Sequence, residues 1–312
     1  MAAARSQAYA SSRYDPHPMP PITLTDNPTS LIALLLLALI SFPIGLKMPP
    51  LASVPWRQQS RALTVGVALQ WLGLPLLTAM LIVAVPVPPG ASNALWLVTA
   101  TPGGYVLLTF ALTARSDLLT ALGLSLTTTA LKLLLTPLLW WIGVRYLLPE
   151  ATAASTFDSV AATMSQVVPA LLLPLLIGWL IQQRWPAAVP RVARVTLVLT
   201  LLMVLAGLVD AADALRPGLQ LNWPPLLALV IVHHALVCLL AYGLAWLAHL
   251  APAQRRSVVL ACSTFNAGLA IPLALLLFPY DGIALLTLGF WALWRVAIGT
   301  AIAFYWRWRP IR

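Results

Sequence analysis

The sequence predicts an all-α polytopic membrane protein with nine transmembrane helices, two of them interrupted near their middle. The first observation is composition, because 61% of the 312 residues are hydrophobic, 8% are charged, and the mean hydropathy is +0.90. A soluble domain carries about 25% charged residues. The second is the length of the apolar segments, since a helix needs about 20 mostly apolar residues to cross a bilayer. The third is the presence of Pro and Gly inside two of those segments.

A polar tail precedes the apolar segments. Residues 1–28 are rich in Pro and Ser, and they lack the apolar core of a signal peptide. We expect this tail to be disordered, with a short interfacial helix as the alternative. It therefore contributes no transmembrane span.

Nine apolar segments follow the tail, each long enough to cross a bilayer as a helix. They cover residues 29–47, 61–85, 91–113, 117–147, 158–182, 191–213, 223–249, 254–277 and 281–307. Most junctions between them carry Pro, Gly or charged residues, which are typical of loops. The segments define one transmembrane domain over 29–307, followed by a short tail at 308–312.

The basic residues predict the orientation of the chain. Most of the 18 Lys and Arg residues lie in alternate junctions: Lys47, Arg57, Arg61, Arg115, Arg184, Arg191, Arg194, Arg255, Arg256, Arg307, Arg309 and Arg312. Cytoplasmic loops carry an excess of Lys and Arg. We therefore expect a multi-pass protein of the inner or plasma membrane with its N-terminus outside and its C-terminus in the cytoplasm. The regular alternation supports nine spans, because one missed or false span would break it.

Several other functions are not indicated. The net charge of +10 does not predict nucleic-acid binding, because the basic residues are scattered between apolar segments. Cys238 and Cys262 lie in apolar segments and indicate no disulfide framework. We find no Ser-His-Asp arrangement, no metal-ligand spacing and no acid pair within a span. We therefore expect no enzyme, no cofactor and no metal site, and the oligomeric state stays open.

Two of the nine segments, 91–113 and 254–277, contain helix-breaking residues. They are Pro102, Gly103 and Gly104 in the first segment, and Gly268 and Pro272, beside Asn266, in the second. Interrupted backbone at membrane depth persists only where protein or a water-filled cavity satisfies the freed N–H and C=O groups. Two such helices at matching places are typical of transporters with inverted repeats and a binding site near the midplane. Kinks in ordinary packed helices are the alternative.

Four motifs lie in order along the chain. They are QWLGLP (70–75), PGG with TARSD (102–117), FNAGLA (265–270) and WRVAIGTAIAFYW (294–306). As an ordered set, and with Gly45-Leu46 at the expected distance before the first motif, they resemble the bile acid:sodium symporter family. The resemblance covers roughly residues 29–307.

The resemblance implies ten helices in two inverted five-helix units, divided into a panel domain and a core domain. The segment 29–47 resembles the second helix of the family, so the first is absent here. We therefore expect an incomplete inverted repeat, with four spans in 29–147 and five in 158–307. This agrees with the count of nine spans made from the apolar segments.

Most of the sodium ligands that the resemblance implies are missing. Leu107 and Leu108 stand where the family has Ser and Asn, Ala121 replaces a Ser, Ala261 replaces the Glu, and Phe265 replaces a Gln. Only three of these positions keep a polar side chain: Gln70, Ser125 and Asn266. Hydrocarbon side chains cannot coordinate a hard cation. We therefore expect no coupling to sodium at these positions.

Two basic residues lie inside predicted spans. At 100° per residue, Lys132 shares a helix face with Ala121 and Ser125, and Arg295 stands where the family has a His. Charges at membrane depth are rare and usually face a cavity or a partner. We expect these two to supply positive charge where the family binds sodium, which would favour an organic anion. Snorkelling to an interface or a structural pairing is the alternative.

The sequence thus predicts secondary transport of a small organic anion by alternating access. The substrate-binding residues that we expect are Tyr105, Thr109, Lys132, Thr264, Asn266 and Arg295, with Gln70 and Ser125 beside them as degenerate ion positions. Three alternatives stay open: a sodium symporter with backbone ligands, a proton-coupled transporter, exchanger or uniporter, and a transport-inactive ligand-binding membrane protein. The pair His233-His234 is either a packed pair or a proton relay.

Overall fold

The structure is a computed structural model that describes residues 28–48, 56–101, 106–148, 157–210, 223–264, 267–278 and 281–309. Within these ranges the chain is helical and contains no β-strand. Pro28, which the sequence assigns to the polar tail, begins the first helix. The rest of that tail and residues 310–312 lie outside the described ranges.

Twelve helices occur in the described ranges. They are α1 (Pro28–Leu46), α2 (Trp56–Ala68), α3 (Leu74–Ala84), α4 (Pro89–Ala100), α5 (Val106–Thr113), α6 (Leu118–Tyr146), α7 (Phe157–Arg184), α8 (Val189–Asp210), α9 (Trp223–Leu247), α10 (Pro252–Ser263), α11 (Ala267–Leu277) and α12 (Gly282–Trp308). A π-helical turn, Leu69–Gly73, joins α2 to α3, and a 3-10 turn, Pro186–Ala188, precedes α8.

Four of the helical stretches are long and apolar enough to cross a membrane, judged by length and composition. They are Arg57–Ala84, Ser165–Arg184, Trp223–Leu247 and Gly282–Trp308. Two shorter apolar stretches are Leu31–Leu46 and Leu118–Thr129. The all-helical class and the membrane character predicted from the sequence are therefore confirmed, whereas the count of nine spans and the inverted repeat stay predictions.

Both segments predicted to be interrupted contain two helices in place of one. Helix α4 ends where Thr101 takes an extended backbone, with φ −81° and ψ 150°. Helix α10 ends where Thr264 leaves the helical region, with φ −112° and ψ 57°. The next helices, α5 and α11, begin a few residues later. Four of the residues on which the prediction rested lie outside the described ranges: Pro102, Gly103, Gly104 and Asn266.

The other two residues predicted to break the second segment lie elsewhere. Gly268 and Pro272 are inside α11, so the helix ends before them and a new one contains them. Pro272 removes one intrahelical hydrogen bond, which a packed membrane helix tolerates. Leu273 and Ala274, directly after it, are buried in the apolar core. The interruption between α10 and α11 therefore precedes both residues.

The π-helical turn between α2 and α3 has a local cause in the sequence. Pro75 has no backbone N–H, so the regular ladder cannot continue to the carbonyl four residues earlier. The N–H of Leu74 donates to the carbonyl of Leu69, five residues earlier. Such turns often mark functional positions in helices. This one carries Gln70, whose side chain is buried.

Helix α1 packs closely against α7 because glycines face each other there. A Cβ atom added at Gly45 would lie 1.9 Å from the carbonyl oxygen of Leu175, and one added at Gly178 would lie 2.3 Å from that of Phe42. Small residues of this kind let the backbones of membrane helices approach closely. Helices α8 and α11 also contact α1, so this contact ties the first helix to the second half of the chain.

We expect Gly45→Ala to lower the thermal unfolding midpoint of the purified protein by several degrees, because the added methyl group must push α1 away from α7. Gly243→Ala on α9 is the matched control, since a Cβ there meets nothing within 4 Å. Alanine favours a helix over glycine by about 1 kcal/mol, so the control should keep or raise its midpoint. Equal midpoints for the two variants would contradict the close approach.

Candidate functional site

A polar stripe runs along the buried face of α6. Ser125, Thr129, Lys132 and Thr136 recur at intervals of three or four residues, which places them on one side of the helix. All four are buried, and Lys132 has no exposed surface. A charge removed from water is costly unless it is hydrogen-bonded. The stripe must therefore face polar partners in the helices that cover it.

The ammonium group of Lys132 binds the C-terminal end of α4. Its Nζ donates to the backbone carbonyls of Thr99, at 2.8 Å, and of Thr101, at 3.0 Å. One turn further along α6, Thr136 Oγ1 lies 2.9 Å from the carbonyl oxygen of Ala100 and 2.5 Å from that of Lys132, and its one proton serves one of them at a time. The last carbonyls of a helix have no intrahelical partner and carry partial negative charge. Two side chains of α6 thus cap the first half of the interrupted helix.

The end of α10 lies close to the same ammonium group. Lys132 and Cys262 are near enough to interact electrostatically, and Cys262 is the second-last residue of α10. Thr264 follows the helix, is buried, and donates to the carbonyl of Leu260 at 2.6 Å. Helices α4 and α10, the first halves of the two interrupted helices, thus both pack against α6, the helix that carries Lys132.

A chain of hydrogen bonds leads from this end of α4 to α9. Thr99 Oγ1 lies 2.8 Å from Thr78 Oγ1, and Thr78 Oγ1 lies 2.9 Å from His233 Nε2. All three side chains are buried. Because the carbonyl of Thr99 also accepts from Lys132, the chain links α3, α4, α6 and α9 through polar contacts.

The direction of this chain depends on where Thr99 donates its one hydroxyl proton. The carbonyl of Leu95, at 3.0 Å, and Thr78 Oγ1, at 2.8 Å, are both within reach. When Thr99 donates to Leu95, Thr78 donates to Thr99 and His233 donates to Thr78 from Nε2. When Thr99 donates to Thr78, Thr78 donates to His233 Nε2, which is then the acceptor.

The two adjacent histidines pack against one tryptophan. The ring of Trp291 lies 5.7 Å from that of His233 and 5.1 Å from that of His234. Within the described part of the chain, His233 Nδ1 and both ring nitrogens of His234 have no hydrogen-bond partner. The sequence left two interpretations of this pair open, a packed pair and a proton relay. In the structure the pair is packed, and His233 also joins the hydrogen-bonded chain.

Within the part of the chain that is described, two side chains of the stripe and one on the neighbouring π-helical turn are buried without a hydrogen-bond partner. In the described ranges, the amide group of Gln70 and the hydroxyl groups of Ser125 and Thr129 find no hydrogen-bond partner. Gly66, one turn before Gln70, faces Leu124, the neighbour of Ser125, so α2 packs on α6 at this level. Buried polar groups are normally hydrogen-bonded, and exceptions point to water, an ion or a ligand. These three side chains are therefore candidates for binding one.

Comparison with known families decides what kind of protein carries this site. A sequence model of the Sodium Bile acid symporter family matches residues 34–217, which is more than half of the chain. The chain belongs to the sodium bile acid symporter family. No curated protein matches the chain significantly.

Membership confirms the resemblance drawn from the motifs. The family consists of transporters and not of enzymes, and its proteins are integral to the membrane. The match ends at residue 217, so it covers the QWLGLP and PGG motifs but not FNAGLA or the closing tryptophan motif. Beyond residue 217, the similarity rests on those two motifs alone.

Only some of the predicted site residues of this symporter-family protein lie at the interrupted helices. Lys132 donates to the end of α4, and Thr264 directly follows α10; both side chains are buried. Arg295 is buried on α12, one turn after Trp291. Thr109 lies on an exposed face of α5, away from the buried polar chain. Tyr105 and Asn266 lie outside the described residues.

Four of the five positions at which the resemblance implies a lost sodium ligand are described. Leu107, Ala121 and Ala261 are buried in the main apolar core, and Leu108 is partly buried against it. Phe265 lies outside the described residues. Among the described residues, no group of three or more His, Cys, Asp or Glu side chains could hold a metal ion.

Sequence reasoning missed the partners of Lys132. Thr78, Thr99 and Thr101 stand alone in apolar helices, and nothing in their spacing indicates that they meet. Thr136 could have been found from the sequence, because it continues the stripe of Ser125 and Lys132 at helical spacing. Two cavities, of about 410 and 480 Å³, lie at helix ends and are not lined by Lys132.

We expect Lys132→Met to destabilise the protein, because the carbonyls of Thr99 and Thr101 lose a charged donor worth about 1.5–3 kcal/mol per bond. The thermal unfolding midpoint measures this. Lys47→Met, at an exposed lysine, is the control and should change the midpoint little.

A second test uses chemical rescue of the missing amine. For Lys132→Ala, added propylammonium should restore part of the unfolding midpoint, whereas 1-propanol should not. Equal recovery with both would contradict a role for the charge.

We expect Thr78→Val to destabilise by about 1–3 kcal/mol, because it leaves His233 Nε2 without its partner while keeping the side-chain shape. Chemical unfolding measures the loss. Thr113→Val removes a hydroxyl that only donates to a carbonyl in its own exposed turn, so it is the matched control. A loss no larger than that of Thr113→Val would show that the buried chain contributes nothing to stability.

Proposed function

We propose that this symporter-family protein is a secondary transporter of a small organic anion that works by alternating access. Its nine spans would form an incomplete inverted repeat, with four in 29–147 and five in 158–307. The pairs α4–α5 and α10–α11 support this proposal, because interrupted helices in two halves are typical of transporters with a midplane site. The charge pattern supports an external N-terminus and a cytoplasmic C-terminus.

The observation that carries the proposal is the position of Lys132. Its ammonium group is held at the end of α4 and near the end of α10, where a family member would bind substrate and ions. Arg295 adds a second buried cation on α12. The two aspartates whose side chains are described, Asp117 and Asp281, lie directly before α6 and α12, at the ends of helices. Excess positive charge at depth favours an anionic substrate.

The substrate would bind beside the interrupted helices. The side chains that we propose for this role are Tyr105, Thr109, Lys132, Thr264, Asn266 and Arg295. The partnerless amide of Gln70 and hydroxyl of Ser125 are the polar groups at the degenerate ion positions. Half-helix N-termini at the start of α5 and α11 would face the negative charge of the substrate.

Coupling to sodium at the usual positions of the family is disfavoured on two grounds. Leu107 and Ala261 offer no oxygen ligand and are packed in the apolar core. The carbonyls of Thr99 and Thr101 could serve as backbone ligands, but they already accept from Lys132. A sodium symporter with backbone ligands is thus the weaker alternative. A transport-inactive protein that binds a ligand is the other alternative.

The proposal is tested by binding first and uptake second. Purified protein is screened for thermal stabilisation by cholate, taurocholate and smaller carboxylates, in sodium and in potassium at equal ionic strength. We expect stabilisation by at least one anion without a preference for sodium. In proteoliposomes, uptake of that radiolabelled anion should fall about tenfold or more in Lys132→Met, which corresponds to one lost charged hydrogen bond. Arg307→Gln, at an exposed arginine, is the control.

Three outcomes would overturn parts of the proposal. Sodium-stimulated uptake that Gln70→Ala or Ser125→Ala abolishes would restore sodium coupling at the family positions. Unchanged uptake in correctly folded Lys132→Met would remove Lys132 from the site. Binding of an anion without any uptake would favour the transport-inactive protein.

A further inference from the structure

A second site lies where the C-terminal ends of α9 and α12 meet the start of α10. A cavity of about 480 Å³ opens there. Three arginines and three aromatic residues line it together with one proline: Arg255, Arg256, Arg309, Tyr242, Tyr305, Trp306 and Pro252. No acidic side chain is among the described residues that line it. The cavity therefore concentrates positive charge against aromatic walls.

Arg256 organises the walls of this cavity. Its Nη1 donates to the carbonyls of Ala114 and Trp306, both at 3.0 Å, and its Nη2 donates to the carbonyl of Arg309 at 3.1 Å. Its guanidinium also lies 5.8 Å from the ring centre of Trp306. These contacts bind the end of α12 to α10 and to the segment after α5. They fix the backbone from which Arg309 projects.

The other two arginines are oriented but keep donors for a ligand. Arg255 donates from Nε to the carbonyl of Leu250 at 2.9 Å, which leaves its two terminal nitrogens directed elsewhere. The guanidinium of Arg309 stacks on the ring of Tyr305, 5.1 Å from its centre. A guanidinium that is fixed at one edge or face recognises phosphate oxygens through its remaining N–H groups.

Two helices that could cross the bilayer end at this cavity, which is where a membrane surface would be expected. The cavity is formed at the ends of Trp223–Leu247 and Gly282–Trp308, two helices that are apolar and long enough to cross the bilayer. Tyr242 and Tyr305 are about half exposed beside it, and Trp308 is largely exposed. Aromatic residues at helix ends are typical of the zone of lipid headgroups. Basic pockets between helices at this level bind anionic headgroups.

We propose that this cavity binds the phosphate headgroup of an anionic phospholipid. The terminal nitrogens of Arg255 and the guanidinium of Arg309 bind the phosphate oxygens, and Arg256 adds positive charge from the cavity wall. The tyrosines flank the glycerol region, and the acyl chains lie along the apolar outer faces of α9 and α12. A lipid is favoured over free phosphate because the cavity adjoins exposed apolar residues on both helices, including Leu239, Leu244 and Phe304.

The test measures the thermal unfolding midpoint of the full chain in a neutral detergent. Dioleoylphosphatidylglycerol should raise the midpoint by about 3 °C or more, since a ligand that binds only the folded state stabilises it. Dioleoylphosphatidylcholine and inorganic phosphate at the same concentration should not. In the double variant Arg255→Gln/Arg309→Gln, the shift caused by phosphatidylglycerol should disappear. Each variant is compared with its own lipid-free midpoint, so a general loss of stability does not imitate the effect.

The matched control is Arg184→Gln/Arg194→Gln. Both arginines are exposed on α7 and α8, the charge pattern assigns them to the same side of the membrane, and the control removes the same net charge. The shift should persist in this variant. A shift that persists in Arg255→Gln/Arg309→Gln, or that disappears equally in the control, would overturn the site. An equal shift with phosphatidylcholine or with inorganic phosphate would overturn the lipid as its ligand.

Native mass spectrometry of the unmodified chain supplies a measurement that does not depend on the folding of any variant. With an equimolar mixture of the two lipids, the chain should retain phosphatidylglycerol in clear preference to phosphatidylcholine. Equal retention of both lipids would overturn the proposal.

Discussion

The central constraint on this structure is that a helix interrupted in hydrocarbon leaves carbonyl groups that water cannot reach. Lys132 meets this constraint at the end of α4, where it donates to the carbonyls of Thr99 and Thr101, and Thr136 Oγ1 lies within hydrogen-bond distance of the carbonyl of Ala100. The hydrogen bonds of Lys132 reduce both the cost of burying an ammonium group and the cost of leaving these carbonyls without partners. Removing the lysine would leave the carbonyls of Thr99 and Thr101 without this donor.

The same contact extends into the rest of the core. The carbonyl of Thr99 binds Lys132, and its hydroxyl begins the chain through Thr78 to His233. A buried polar network is favourable only when its members find partners, so the helices that carry these residues must keep one register. The close glycine contacts between α1 and α7 likewise hold those two helices in one register.

Under the proposed function, Lys132 would separate this chain from the sodium coupling of its family. A bound sodium ion can leave and return during a transport cycle, whereas Lys132 is covalently attached to α6. Leu107 and Ala261, packed in the apolar core, stand where the resemblance implies oxygen ligands. The proposal thus combines the architecture of a symporter with a covalently attached basic group in place of a mobile ion.

The sequence by itself determined the helical class, the membrane character, the family and the approximate position of both interruptions. These follow from the length of apolar segments and from local residue types such as Pro and Gly, which act within one helix. Helical spacing also identified Ser125 and Lys132 as one stripe. Tertiary structure alone decided that Lys132 binds the end of α4, that Thr78 joins His233, and that Thr109 lies on an exposed face. Those facts depend on which helices pack together, and the partners of Lys132 are backbone carbonyls, which every residue carries and no sequence pattern marks.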